Sequence, residues 1–308
     1  MTKVAVINET GTLSFLTAPL EQAMPDVAFV HWPDPGWDTA EIALCWRPPA
    51  GALASMPNLK LIHSIGAGVD GIMADPQLPA LPICRVVDGT LAAAMAEFIL
   101  WGALYFHRQM DIVIRNARDA HWHRLEQTAA RDRRVGLMGL GALGIEAVGP
   151  LRSVGYQVSG WTRSPREIEG VTVFSGEAAL PAFLAQTDIL VSLLPLTPQT
   201  RGILNRANLS QLPRGAALIL CSRGEHLVMD DLVALLREGH LRGAILDVFE
   251  TEPLPADHPL WHEPGVLVTP HMAGLAKPRA IAAQFAENVR RFTSGEPLLN
   301  RIENGRGY

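Results

Sequence analysis

The stretch Val135-Gly-Leu-Met-Gly139-Leu-Gly141-Ala-Leu-Gly144 decides the fold, because its spaced glycines join an apolar run to a helical pattern over residues 142–153. A GxGxxG loop between a strand and a helix is typical of dinucleotide-binding domains. The first glycine permits the tight turn, Gly141 lets the backbone approach a pyrophosphate, and Gly144 lets helix and strand pack closely. The amino end of the helix then faces the anion. Glycines also mark ordinary turns, but this context favours a dinucleotide site.

The segment after the next predicted strand, residues 156–161, indicates which dinucleotide binds. An NAD-selective domain carries an Asp or Glu there, which binds the ribose hydroxyls. This chain has Thr162-Arg163-Ser164-Pro-Arg166 instead. An acid would repel a 2′-phosphate, whereas Arg163 offers a charge-assisted fork and the hydroxyls of Thr162 and Ser164 offer donors. The sequence therefore predicts NADP, with NADPH preferred over NADH; the alternative is a pair of solvated loop arginines.

Short apolar runs alternate with helical patterns along most of the chain, which predicts α/β units with parallel sheets. The predicted strands form two series: residues 4–7, 27–30, 42–45 and 61–64, then 135–139, 158–161, 189–193, 217–220, 243–246 and 266–269. An apolar helical pattern over residues 95–107 and a charge-dense stretch over 126–134 predict a domain junction between the series. A predicted helix over residues 279–292 has the length to pack back on the first unit.

Composition and charge exclude several classes of protein. The chain of 308 residues is 48% hydrophobic and carries a formal charge of −5, so neither disorder nor a general attraction to nucleic acid or anionic lipid is expected. The apolar run at residues 4–7 is too short for a signal peptide. Residues 91–106 are interrupted by Glu97 and fall short of the roughly 20 residues that span a bilayer. We therefore expect a cytoplasmic protein that binds neither nucleic acid nor membrane.

Three ionisable residues follow predicted strands of the second series. Arg223 comes after the strand at 217–220, Glu252 follows the next strand, and His271 follows the strand at 266–269. Ligands of open α/β sheets bind outside the carboxyl ends of the strands, so we expect these side chains near the glycine loop. A carbonyl reduced by hydride develops negative charge on oxygen, and a cation and a proton donor serve that chemistry. Singly, each residue also fits a surface or capping role.

Other chemistries have weaker support in the sequence. Cys221 closes an apolar strand, and hydride transfer needs no covalent intermediate, so we do not expect it to act as a nucleophile. The three cysteines show no CxxC spacing, which fits reduced thiols. The histidines that could be considered as metal ligands are His121, His123, His258 and His262. No HExxH pattern is present, and Pro259 interrupts a helix there, so we predict no metal.

The motifs around these residues resemble those of the D-isomer-specific 2-hydroxyacid dehydrogenases over essentially the whole chain. Besides the glycine loop, they are Leu193-Leu-Pro-Leu-Thr-Pro198, Ser222-Arg223-Gly224, Asp247-Val-Phe-Glu-Thr-Glu-Pro-Leu-Pro255 and Thr269-Pro-His271. The chain is most similar to the glyoxylate/hydroxypyruvate reductase group, through Trp46-Arg-Pro-Pro49, Gly66-Ala-Gly-Val-Asp70, His121-Trp122, residues 161–164 and Arg306-Gly-Tyr308. The resemblance implies a His where the chain has Arg47; both a substrate-pocket cation and a solvated side chain remain open for that residue.

The resemblance implies an α/β fold with two Rossmann-like, doubly wound parallel-sheet domains and an active site in the cleft between them. It implies a discontinuous, flavodoxin-like substrate domain over residues 1–95 plus 279–308. It also implies an NAD(P)-binding Rossmann domain over residues 96–278 and a homodimer in which Trp122 packs against the neighbour.

The resemblance further implies an NADPH-dependent reduction of small 2-keto acids, glyoxylate to glycolate and hydroxypyruvate to D-glycerate. Arg223 would hold the substrate carboxylate and carbonyl oxygen, His271 would donate the proton, and Glu252 would pair with His271. Further substrate contacts would come from Trp46, Arg47, Ala67, Gly68 and Val69. The implied cofactor contacts are Gly139, Gly141, Ala142, Leu143, Gly144, Thr162, Arg163, Ser164, Leu194, Pro195, Thr200, Cys221, Ser222, Arg223, Asp247, His271 and Ala273.

Two other functions stay open at this point. A cofactor-sensing binding protein could keep the same fold and the same three ionisable residues. A 2-hydroxyacid dehydrogenase acting on a larger 2-keto acid would also fit the motifs. Turnover of NADPH with a panel of keto acids distinguishes all three.

Overall fold

The computed structural model describes residues 2–9, 13–274 and 276–302. The chain divides into two units, one within Met1–Leu91 and Ala276–Tyr308 and the other within Ala92–Leu275. The predicted limits, 95/96 and 278/279, lie four and three residues from these boundaries. The charge-dense stretch at 126–134 lies inside the second unit, so the prediction of a domain junction there was wrong. The Arg306-Gly-Tyr308 motif lies outside the described residues.

The first unit is built on a parallel sheet. Its strands are β1 (Lys3–Asn8), β2 (Ala28–His31), β3 (Ile42–Trp46), β4 (Leu61–Ser64) and β5 (Ile83–Cys84), and its helices are α1 (Thr17–Ala23), α2 (Asp70–Met73) and α9 (Pro278–Ser294). The described strands lie in the order β2-β1-β3-β4-β5. Leu20, Ile281 and Phe285 pack on one face of the sheet, whereas Leu53 and Ile72 pack on the other. The predicted return of the last helix to the first series of strands is therefore observed.

The second unit holds a larger parallel sheet. Its strands are β6 (Arg134–Met138), β7 (Gln157–Thr162), β8 (Thr172–Ser175), β9 (Ile189–Ser192), β10 (Ala216–Leu220), β11 (Leu241–Leu246) and β12 (Val266–Val268). The helices, of which the first begins in the first unit, are α3 (Gly89–His107), α4 (Met110–Arg118), α5 (Ala142–Val154), α6 (Leu180–Leu184), α7 (Arg206–Leu209) and α8 (Met229–Arg237). The described strands lie in the order β12-β11-β10-β9-β6-β7-β8.

Both sheets are doubly wound, as the sequence predicted, because the strand order reverses within each of them. In the second unit the reversal lies between β6 and β9, which pair directly. Ligands of such sheets bind outside the carboxyl ends of the strands at this switch point. The glycine loop follows β6, and the segment after Ser192 follows β9. The fold thus places these two loops side by side.

The strands of the second unit are apolar along their whole length because helices cover both faces of the sheet. In β10 every residue is buried. Leu218 and Leu220 face a core that includes Phe183 of α6, whereas Ala217 and Ile219 face a core that includes Ile99 of α3. This alternation is the two-residue period of a strand.

Helix α3 corrects one expectation from the sequence. It is 19 residues long, and it is long and apolar enough to cross a membrane. Among the described residues, no other helix meets both conditions. The prediction that this stretch falls short of a bilayer span was therefore wrong. Its Met95, Ile99 and Phe106 side chains are buried in the core of the second unit.

Candidate active site

The glycine loop has the geometry of a phosphate-binding turn. Gly139 has a φ of 104°, and a Cβ on Gly144 would lie 2.1 Å from the Gly139 carbonyl oxygen, so both positions exclude a side chain. Gly141 is exposed, and a Cβ there would meet nothing within 4 Å. It caps the amino end of α5, where Ala142 and Leu143 begin the helix. The open space at this helix end suits a pyrophosphate, since the first-turn amides of a helix have no partner within the helix.

The loop after β7 departs from the sequence prediction in one respect. Thr162 is buried, and its hydroxyl donates to the Ser164 carbonyl oxygen at 2.8 Å. A hydroxyl has a single proton, so this donor shapes the loop and does not face a phosphate. Arg166 is also used internally, since its Nη1 donates to the Leu140 carbonyl in the glycine loop. Arg163 is exposed at the surface of this loop.

Arg223 and Gly224 follow β10 in a turn that packs against the neighbouring loop. The Arg223 Nη1 donates to the Ser222 carbonyl at 2.6 Å, and the side chain is partly exposed. A Cβ on Gly224 would lie 2.0 Å from the Phe249 carbonyl carbon. The turn that carries Arg223 therefore lies directly on the backbone that leads to Glu252.

Glu252 and His271 form a hydrogen-bonded pair. The His271 Nδ1 donates to Glu252 Oε2 at 2.8 Å, and the Phe249 amide donates to Glu252 Oε1 at 2.9 Å. The side chains of His271 and Glu252 are 32% and 19% exposed, so Glu252 is the more enclosed partner. Because Nδ1 is bound to the carboxylate, Glu252 fixes the orientation of the imidazole ring. The structure thus brings together two of the three predicted ionisable residues by direct contact.

Asp247 holds the loop that carries His271. Its carboxylate accepts from the Thr269 hydroxyl at 2.6 Å and from the amides of Met272 and Ala273, each at 2.9 Å. The His271 amide donates to the Asp247 carbonyl at 2.8 Å. His271 has a φ of 50°, a conformation that a non-glycine residue adopts only when its surroundings impose it. Asp247 was predicted as a cofactor contact; in the structure its carboxylate binds its own chain.

The remaining predicted cofactor residues lie after β9 and β10. Leu194, Cys221 and Ser222 are buried, whereas Pro195 and Thr200 are partly exposed. The Thr200 hydroxyl donates to the Pro195 carbonyl at 2.7 Å, which closes this segment on itself. Burial raises the pKa of the Cys221 thiol, which disfavours the thiolate and fits its exclusion as a nucleophile.

The predicted substrate residues of the first unit also lie together. A small cavity is lined by residues that include Trp46, Arg47, Gly68 and Val69. Ser64 closes the loop at residues 65–69, because its hydroxyl donates to the Gly68 carbonyl at 2.9 Å and accepts from the Gly66 amide at 3.1 Å. Arg47 has a φ of 44° and is partly exposed. Ala67 lies in the same loop, and its carbonyl accepts from Arg85 at 3.4 Å.

The histidines considered for metal binding do not assemble a site. The rings of His121 and His123 stack on each other with centroids 5.7 Å apart. Trp122, which lies between them in the sequence, is 98% exposed. Over residues 2–9, 13–274 and 276–302, no three His, Cys, Asp or Glu side chains group as metal ligands.

His226, which is fully buried, was not predicted from the sequence as a site residue. Its Nδ1 lies 2.9 Å from the Ser222 hydroxyl, and its Nε2 lies 3.3 Å from the Pro195 carbonyl. The only signal was a histidine three residues after Arg223.

Comparison with known proteins agrees with this geometry. Residues 100–273 match the family model described as D-isomer specific 2-hydroxyacid dehydrogenase, NAD binding domain. The chain therefore belongs to the D-isomer specific 2-hydroxyacid dehydrogenase family, as its motifs predicted. It is an NAD(P)-dependent oxidoreductase.

The chain is also similar to individual members of this family. Glyoxylate/hydroxypyruvate reductase A of Escherichia fergusonii is 37% identical over 295 residues, which cover 94% of each chain. The NADPH-dependent glyoxylate/hydroxypyruvate reductase of Sinorhizobium meliloti, solved with NADP and sulfate, is 37% identical with a TM-score of 0.91 over 100% of both chains. A family member from Xanthobacter autotrophicus Py2, solved with NADPH and MES, is 40% identical with a TM-score of 0.90, over 100% of this chain and 99% of that one.

Proposed function

We propose that this protein reduces small 2-keto acids with NADPH, converting glyoxylate to glycolate and hydroxypyruvate to D-glycerate. The observation that carries the proposal is the hydrogen bond between His271 and Glu252 at 2.8 Å, on the loops that follow β11 and β12. The names of the Escherichia and Sinorhizobium relatives support the substrate class.

The glycine loop and the amino end of α5 hold the cofactor pyrophosphate, and Arg163 binds the 2′-phosphate. Support comes from the open space at Gly141 and from the absence of an acid after β7. Two related structures contain NADPH or NADP. When bound, NADPH supplies the hydride that is transferred to C2 of the keto acid.

His271 donates the proton that the carbonyl oxygen needs. In its imidazolium form, Nδ1–H is bound to Glu252, and Nε2–H donates to the substrate oxygen. The negative charge of Glu252 stabilises the imidazolium, and the Phe249 amide fixes the carboxylate that orients the ring. After the proton has left, the ring stays in the tautomer that Glu252 imposes, and it is reprotonated from solvent at Nε2.

Arg223 binds the substrate carboxylate and polarises the carbonyl oxygen on which charge develops. A planar guanidinium matches a carboxylate through two parallel hydrogen bonds. Trp46, Arg47, Gly68 and Val69 lie together in the first unit, with Ala67 in the same loop, and the family resemblance assigns further substrate contacts to these residues.

We also propose that the active species is a homodimer. Large apolar side chains are exposed on neighbouring elements of the second unit: Trp101 on α3, Met110, Val113 and Ile114 on α4, and Trp122 after it. Apolar surface of this kind is buried in a dimer.

The test is NADPH oxidation with glyoxylate, hydroxypyruvate and larger 2-keto acids, compared for wild type, His271→Ala and His262→Ala. His262 is an exposed histidine outside the site, so its variant controls for loss of an imidazole. We expect wild-type turnover with the two small acids, and a loss of kcat of about 10²–10⁴-fold in His271→Ala with NADPH binding retained. Tight NADPH binding without turnover would instead identify a cofactor sensor, and preference for a longer acid would change the substrate class.

A further inference from the structure

A chain of buried hydrogen bonds connects two loops of the proposed site. The Ser192 and Ser222 hydroxyls lie 3.0 Å apart, the Ser222 hydroxyl lies 2.9 Å from His226 Nδ1, and His226 Nε2 lies 3.3 Å from the Pro195 carbonyl. Ser192 and His226 are fully buried, and Ser222 is 7% exposed. These buried polar groups lie at or after the carboxyl ends of β9 and β10, where they are enclosed by apolar side chains. Their hydrogen-bond partners therefore determine their orientation.

The donor and acceptor of each hydrogen bond in this series follow from the last acceptor, the Pro195 carbonyl. A carbonyl only accepts, so His226 Nε2 carries the proton and donates to Pro195. In the neutral ring Nδ1 is then the acceptor, and the Ser222 hydroxyl donates a hydrogen bond to it. Ser222 oxygen can in turn accept from the Ser192 hydroxyl. A neutral imidazole in one tautomer satisfies every bond of the chain.

The backbone of His226 joins the same elements. Its amide donates to the Arg223 carbonyl at 3.2 Å, and its carbonyl accepts from the Leu204 amide at 2.8 Å. The side chain and the main chain of one residue thus hold the Ser222–Arg223 turn on one side and the segment from Pro195 to Leu204 on the other.

We infer that His226 is a positioning residue, which fixes Arg223 for the keto acid through Ser222 and fixes the cofactor-binding segment through Pro195. The inference rests on the proposed function for the role of Arg223, and on the family resemblance for the cofactor contacts of Leu194, Pro195 and Thr200. Imidazole suits the position because its two nitrogens reach opposite partners. Asn and Gln each carry a single amide group, which can reach only one of the two partners.

This difference in reach provides the test. In His226→Asn, the side-chain oxygen takes the place of Nδ1 and keeps the bond to Ser222 but loses Pro195. In His226→Gln, the amide nitrogen takes the place of Nε2 and keeps Pro195 but loses Ser222. His262→Asn and His262→Gln, at the exposed histidine, are matched controls and should behave as wild type.

We expect the two variants to fail in different parameters. His226→Asn should weaken NADPH binding by about threefold to tenfold, measured by fluorescence titration, with the KM for glyoxylate nearly unchanged at saturating NADPH. His226→Gln should raise the glyoxylate KM and lower kcat with NADPH affinity retained. General damage to the fold would change all three quantities together in both variants, and that outcome would overturn the inference, as would wild-type values in both.

Two further substitutions keep the test decisive if the His226 variants do not fold. Ser222→Ala removes the hydroxyl that binds His226 Nδ1 and should raise the glyoxylate KM and lower kcat, as His226→Gln does. Thr200→Val removes the hydroxyl that binds Pro195 and should reproduce the His226→Asn pattern; the opposite assignment would refute the inference. If wild type reduces no 2-keto acid, the proposed function fails, while the NADPH affinities still decide whether His226 positions the cofactor-binding segment.

Discussion

Protonation of one buried histidine should set part of the acid sensitivity of the first unit. His63 on β4 is fully buried, with Nδ1 donating to the Ser64 carbonyl at 2.8 Å and Nε2 accepting from Asn288 Nδ2 of α9 at 3.0 Å. The same Asn288 side chain holds residue 299 through both backbone groups of Leu299. Both ring nitrogens are engaged in the neutral form, so a second ring proton would face the amide group of Asn288 and have no acceptor.

Burial lowers the pKa of His63 from 6.5 to about 4. The folded pKa lies below the unfolded one, so the stability of the neutral form is fully present above pH 6.5 and is lost as the pH falls toward 4. Proton linkage with these two values gives a loss of about 2 kcal/mol in the free energy of unfolding between roughly pH 7.5 and pH 5.

The assay is urea unfolding of wild type and His63→Gln at pH values across this range. Other titrating groups contribute equally to both proteins, so the difference between the two curves isolates His63. We expect His63→Gln to be less stable at neutral pH, because it loses ring contacts and a hydrogen bond, but to lose about 2 kcal/mol less than wild type on acidification. His262→Gln should follow the wild-type curve. Parallel curves for wild type and His63→Gln would show that His63 does not titrate differently in the folded chain, and the reasoning would fail.

Further substitutions address the cofactor, the substrate and the assembly. Arg163→Ala should raise the KM for NADPH about tenfold to a hundredfold and leave NADH kinetics almost unchanged; equal effects on both would refute binding of the 2′-phosphate. Arg223→Lys keeps the charge but loses the planar fork, so kcat/KM for glyoxylate should fall strongly with NADPH affinity intact, and normal turnover would remove Arg223 from the mechanism. Glu252→Gln should lower kcat about tenfold or more with both KM values near wild type, since the imidazolium loses its counter-charge; an unchanged kcat contradicts the pairing. Trp122→Ala should raise the dimer dissociation constant at least about tenfold by sedimentation, and an unaltered dimer would place the interface elsewhere.

The elements that determine the second unit could be predicted because their signals are local. The glycine loop, the strand before it and α5 after it have a fixed spacing in the sequence, and parallel strands place Arg223, Glu252 and His271 at one edge of the sheet. The contact between Glu252 and His271 follows from this arrangement, whereas the cradle that Asp247 forms for the His271 loop does not. A buried carboxylate that binds amides of its own chain has no sequence pattern.

Other features escaped prediction for identifiable physical reasons. Strand β5 is two residues long, and β8 is a partly exposed edge strand, so neither has the apolar run of a central strand. His226 lies between Glu225 and Leu227, and its side-chain partners belong to the loops after β9 and β10, more than 25 residues upstream in one case. Hydrogen bonds between distant segments depend on packing that only the folded chain supplies. The hydrogen bond from the Thr162 hydroxyl escaped prediction for the same reason, because its acceptor is the Ser164 backbone carbonyl, which the turn positions.

The close packing of Gly224 on the loop after β11 has a consequence for how this protein can be studied by mutation. A Cβ at position 224 would lie 2.0 Å from the Phe249 carbonyl carbon and 2.2 Å from the Glu250 nitrogen, and both are main-chain atoms that cannot swing away. In a saturation library scored by growth or activity, every substitution at 224 would therefore score as severely as loss of a reacting group. Such a profile would reflect a limit on volume between two loops, and a survey that ranks positions by intolerance alone would credit Gly224 with chemistry it does not perform.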